Sequence, residues 1–132
     1  MFNKIISIIV LSLAVSLSVS AHEGHDNAPG VLKANHGGVV KAGKEINLEY
    51  IVSGNEVKLF PISHEGKDLA DNDVKLVVSA KQPKGKAEVV KLETKNGVII
   101  TKVDFKNAYR VEMKVDAEFN GKKSTFIFQV EK

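Results

Sequence analysis

Histidine and carboxylate carry the most concentrated chemistry in this chain. Four histidines, His22, His25, His36 and His64, all fall in the N-terminal half, and none sits in the middle of a strand-like segment. His22-Glu23-Gly24-His25-Asp26 sets two imidazoles and two carboxylates within five residues. Neutral imidazole with carboxylate suits Zn(II), Cu(II) and Ni(II), and these groups are ready to ligate at neutral pH. A flexible ligand run must still be ordered on binding, so its affinity is expected to be modest. The competing reading is a solvated tail whose histidines bind nothing. His36-Gly37-Gly38 opens the next stretch, and its glycines allow a tight backbone approach to a turn or a ligand. His64-Glu65-Gly66-Lys67 reads as a turn.

Other chemistries are excluded or unsupported. The 132 residues include no cysteine, which removes disulfides, thiol catalysis, iron–sulfur clusters, thiolate zinc sites and a lipoprotein anchor. The chain carries no nucleophile elbow, phosphate loop, zinc-protease helix or dinucleotide fingerprint, so a non-enzymatic role is expected. Its net charge of +3 is spread through alternating lysines and acids, as in Arg110, Glu112, Lys114 and Asp116. A nucleic-acid surface would need a stripe of one sign, so no nucleic acid is expected as a partner.

Residues 1–21 read as a secretory signal peptide. Lys4 is followed by the apolar run Ile5 to Val19, shorter than the roughly 20 residues that span a bilayer, and Val19-Ser20-Ala21 fits a cleavage site. The expectation is a periplasmic or secreted protein with no stable membrane anchor after cleavage. Cleavage after Ala21 lowers the charge to +2, since Lys4 leaves with the leader, and gives His22 a free amine. Such a terminus can chelate Cu(II) as a histidine brace if a second histidine from the body joins it, His36 or His64. Residues 22–35 read as a flexible histidine-containing tail, and residues 36–132 as the folded domain.

From His36 onward, period-2 alternation dominates, with no sustained helical period. Glu45 to Val52, Glu56 to Ser63, Val74 to Ala80, Ala87 to Thr94, Val98 to Phe105, Ala108 to Phe119 and Ser124 to Val130 all read as strands. Gly54-Asn55, Asn96-Gly97 and Asn120-Gly121 are hairpin turns by composition. About seven antiparallel strands at regular spacing predict an all-β, immunoglobulin-like β-sandwich, with a small open barrel as the alternative. Pro61 and frequent lysines are expected to protect sheet edges, and Met113 to lie inward in the core.

Register arithmetic pairs the histidines with acids. If Ala42-Gly43 forms a two-residue turn, Val40 opposes Glu45 and His36 opposes Glu49. If Gly54-Asn55 forms one, Val52 opposes Val57, Tyr50 opposes Leu59 and Glu45 opposes His64. His36 and His64 then stand roughly 10 Å or more apart, too far to share one metal on regular strands.

The stretch from His36 to Leu69, with the His- and acid-rich segment before it, resembles the small β domain at the N-terminus of periplasmic adaptor proteins of heavy-metal efflux systems of the resistance–nodulation–division type. The carrying features are His-Gly-Gly, a Leu-Glu strand, a His-bearing turn and Gly-Lys. The resemblance implies a periplasmic protein that handles metal and works with an efflux-system or other envelope protein. His36 and Glu49 match its recurring His-Gly-Gly and strand glutamate. The chain lacks an adaptor's helical hairpin and the methionine clusters of copper(I) carriers. The candidate metal ligands are therefore His22, His25, His36, Glu49 and His64, for Cu, Zn or Ni. A structural or protein-interaction module of the cell envelope, without metal, is the alternative.

Overall fold

A computed structural model describes residues 32–132. The leader, His22 and His25 lie outside the described residues. The described chain is a β-sandwich of two antiparallel sheets, as the alternation predicts. β1 (Val39–Lys41), β2 (Asn47–Ser53), β3 (Glu56–Ile62), β7 (Val98–Lys102) and β6 (Glu93–Lys95) form the first sheet, adjacent in that order. β5 (Glu88–Val89), β4 (Lys75–Lys81), β8 (Arg110–Phe119) and β9 (Lys122–Glu131) form the second. The chain crosses between sheets three times, from β3 to β4, from β5 to β6 and from β7 to β8. The first and last of these crossings are neighbours, because β3 pairs with β7 and β4 with β8.

The alternating residues meet between the sheets. Leu48, Val57, Leu59 and Ile99 from the first sheet pack with Val78, Val111, Met113, Val115, Phe126 and Phe128 from the second. Met113 is fully buried, as expected. Tyr50 stacks on Phe128 with ring centroids 3.8 Å apart, tying β2 to β9 across the core. Burial raises the Tyr50 phenol above its ordinary ionisation range. In a Tyr109→Phe protein, tyrosinate absorbance should therefore rise only above the usual tyrosine range. Because the folded value is the raised one, this contribution to stability is present below the unfolded tyrosine value. It is lost as pH climbs through the folded one, so alkaline unfolding should accompany the absorbance change.

The turn chemistry follows the sequence. Asn96-Gly97 and Asn120-Gly121 have positive φ at both residues, the pattern of a type I′ hairpin, and Gly54 has φ +63°. The Gly54-Asn55 register is as expected, with Val52 opposite Val57 and Tyr50 opposite Leu59.

Four details differ. The run Ala87 to Thr94 is not one strand: Glu88–Val89 pairs with β4, and Glu93–Lys95 pairs with β7. Val90 to Leu92 pass from one sheet to the other, where Val90 N–H donates to the Val78 carbonyl and Lys91 C=O accepts from Thr101 Oγ1. Such a switch turns a sandwich corner with one extended segment. Tyr109 is 67% exposed, because β8 begins only at Arg110. Pro61 protects no edge strand, since β3 is an inner strand of its sheet; Pro61 lies beyond the end of the β3–β7 pairing. Finally, the short strand β1 precedes β2, and its register overturns the first hairpin, with consequences for the site.

Candidate functional site

β1 pairs with β2 as Val39 to Tyr50, Val40 to Glu49 and Lys41 to Leu48. The connection is therefore Ala42–Ile46, not a two-residue Ala42-Gly43 turn. The register moves by four residues, an even number, so each side chain keeps its face. The cause lies far along the chain. Ser124 Oγ accepts the Glu45 N–H at 2.8 Å, holding this connection against the start of β9. A Cβ on Gly43 would lie 2.2 Å from the Ile46 carbonyl oxygen and 2.6 Å from the Phe126 ring, so only glycine fits there.

His36 consequently does not stand opposite Glu49 in a ladder. The two meet another way. Asn35 to Gly38 fold over the outer face of the first sheet, turned by Gly37 at φ +78°. Their backbone amides close on the Glu49 carboxylate. Asn35 N–H donates to Oε1 at 2.9 Å, His36 N–H to both oxygens at 3.1 and 2.9 Å, and Gly38 N–H to Oε2 at 2.8 Å. Glu49 is 0% exposed. Among the described residues it has no cationic partner, so backbone dipoles balance its buried charge. Glu49 is thus the anchor of the His-Gly-Gly segment, and both of its oxygens are committed there.

The same clamp presents the His36 side chain. Its ring stacks on Phe60, centroids 4.0 Å apart and planes at 15°. Phe60 stands opposite Glu49 in the β2–β3 ladder, so ring and clamp share one face. Nε2 of His36 lies 2.9 Å from Oδ2 of Asp68. With the proton on Nε2, this bond fixes the tautomer and leaves the lone pair on Nδ1. Asn35 Nδ2 completes the arrangement, donating to Oδ1 of Asp68 at 3.0 Å and to the Gly66 carbonyl at 2.9 Å. Asn35, read from sequence as the last tail residue, is therefore bonded to the domain. The pair stays accessible: the His36 side chain is 31% exposed and that of Asp68 51%. It borders a cavity of about 210 Å³, which Asp71, Leu59, Leu69 and Ile99 also line.

The turn at His64 forms as expected, with Gly66 N–H donating to the Ser63 carbonyl and Ser63 N–H to the Lys67 carbonyl. The His64 ring nitrogen Nε2 lies 3.1 Å from the Gly43 carbonyl oxygen. No hydrogen bond or ion pair joins His64 to Glu45 among the described residues. Glu45 precedes β2 rather than extending its ladder, so the expected pair has no register to hold it. His36 and His64 are bonded to different partners, and the structure brings neither to the other.

Asp68, Asn35 and Phe60 were not legible as site residues. Asp68 follows the Gly66 turn without a motif, and its role depends on a segment 32 residues earlier in the chain. Among the described residues, no three His, Asp or Glu side chains are grouped to hold a metal ion on their own. None of the described residues forms a helix long and apolar enough to cross a membrane. Fold and site together define an all-β, two-sheet domain that displays a histidine paired with a carboxylate on its outer face. No family model, curated protein or solved structure matches the chain significantly.

Proposed function

We propose that this is an exported, non-enzymatic metal-binding protein, a chaperone or buffer for a divalent transition metal, acting in the periplasm or outside the cell alongside heavy-metal efflux. The observation that carries the reading is the His36–Asp68 pair on the Glu49 clamp. An imidazole whose other nitrogen is hydrogen-bonded to a carboxylate is the usual presentation of a metal-ligating histidine. His36 supplies Nδ1, and Asp68 orients the ring from behind it. His22 and His25 supply further nitrogens from the segment before the domain, with Glu23 and Asp26 as oxygen donors. Glu49 contributes indirectly by holding the backbone of His36. The efflux association rests on the His-Gly-Gly resemblance.

Calorimetric titration with Cu(II), Zn(II) and Ni(II) tests this. The chain should bind at least one of them more tightly than a peptide of residues 22–31 alone. His36→Ala should reduce affinity to that of the peptide. Asp68→Asn should weaken it by about 10–100-fold, the usual effect of losing an outer partner of a ligating histidine. A protein no better than the peptide, or one indifferent to His36→Ala, would refute the folded site.

A further inference from the structure

A second feature is independent of metal. Among the described residues, three of the four sheet edges are short: β1 and β6 have three residues each, and β5 has two. The fourth is β9, ten residues long and, among the described residues, paired only with β8. A long edge offers unpaired backbone N–H and C=O groups to another strand, and edges are ordinarily blunted by lysine, proline, a bulge or an inward charge. The lysines of β9, Lys122 and Lys123, are confined to its first two positions. β9 contains no proline, and its register with β8 runs unbroken from Arg110–Glu131 to Phe119–Lys122. Its inward residues are Ser124, Phe126, Phe128 and Val130, with no charge among them. At its centre, Ile127 is 48% exposed.

The pattern on its outward face is self-complementary. Lys123, Thr125, Ile127, Gln129 and Glu131 alternate outward along the strand. Two copies of β9, antiparallel about a two-fold axis through Ile127, place Ile127 opposite Ile127. Thr125 then faces Gln129, and Lys123 faces Glu131, twice each. Parallel pairing would instead set lysine beside lysine and glutamate beside glutamate. Sliding the antiparallel register by two residues separates Lys123 from Glu131. Directly opposed opposite charges stabilise a strand pair, and opposed like charges destabilise it. We infer that β9 pairs with β9 of a second copy of this chain, making one continuous sheet across an isologous dimer.

Sedimentation equilibrium on the full chain over a concentration series tests the pairing, with circular dichroism confirming that each variant is folded. The wild-type chain should dimerise. Lys123→Glu and Glu131→Lys each put two like-charge pairs into the interface, and each should raise the dimer dissociation constant by about tenfold or more. The double exchange, Lys123→Glu with Glu131→Lys, restores the pairs in reverse and should recover most of that loss. Ile127→Lys, which sets two charges together on the axis, should abolish the dimer. These positions are exposed, and each substitution also opposes a like charge on β8 (Glu118, Arg110 or Lys114), a cost of about 1 kcal/mol or less that a denaturation curve of each monomer reads separately from the dimer constant. A monomeric wild type overturns the inference. So does a monomer whose β9 amides resist hydrogen exchange on the outer edge, since another part of the same chain would then cover it. A dimer indifferent to these substitutions overturns it too.

Discussion

Glu49→Ala is expected to lower stability by about 2–4 kcal/mol and to release Asn35 to Gly38 from the sheet. The carboxylate accepts four hydrogen bonds from three backbone amides. Bonds to a charged acceptor are worth more than neutral ones, and three donors lose their acceptor together. The segment can limit the loss by peeling into water. It then forfeits the stacking of His36 on Phe60 and the bond to Asp68. Either route is a large share of the roughly 5–15 kcal/mol that holds a domain together. Glu49→Gln should be milder, at about 1–3 kcal/mol, because one oxygen still accepts while the new amide group faces donors. Chemical denaturation measures the stability change. Hydrogen exchange at Asn35, His36 and Gly38 reports the release directly. Unchanged stability with Glu49→Ala would mean that the clamp carries no load.

Gly38→Ala should damage the same clamp from the other side, at a cost of about 2–3 kcal/mol. The added Cβ would lie 2.4 Å from the Tyr50 carbonyl oxygen, 2.7 Å from Ile51 Cγ1 and 3.1 Å from Glu49 Oε2. The first is backbone, which no rotamer change relieves, and the second belongs to the adjoining strand β2 on the same outer face as Glu49. Gly37→Ala next door is the control. Its Cβ meets nothing within 4 Å, but φ is +78°, so the cost should be only the backbone strain of about 1–2 kcal/mol. Because Gly38 and Glu49 serve one unit, their effects should not add. Gly38→Ala combined with Glu49→Ala should cost little more than the worse of the two alone. Denaturation of the four proteins closes that cycle, and full additivity would show that the clamp is not one unit.

The sandwich was legible because its rules are local. Alternation set the faces of the long strands, and Gly54-Asn55, Asn96-Gly97 and Asn120-Gly121 set their turns. The β2–β3 register followed because its loop is two residues long, which leaves few alternatives. The β1–β2 register did not follow, because its connection is fixed by Ser124, 79 residues further on. The division of Ala87 to Thr94 between two sheets likewise depends on packing. Glu49 is the instructive site residue. A glutamate in an alternating strand reads as solvent-facing, and Glu49 does lie on the outer face of its sheet. It is buried because Asn35 to Gly38 cover it. Sequence paired the right residues, His36 and Glu49, for the wrong reason: the contact runs through the His36 backbone, and the His36 side chain turns to Asp68.

One measurement separates the roles of the His36 backbone and the His36 side chain most directly. In NMR spectra of the chain titrated with Zn(II), the His36 ring resonances should shift, with smaller changes at Asp68. The amides of Asn35, His36 and Gly38 should stay protected from exchange throughout, still bound to Glu49. An unmoved His36 ring, or loss of protection at those amides as Glu49 is drawn to the metal, would contradict that separation.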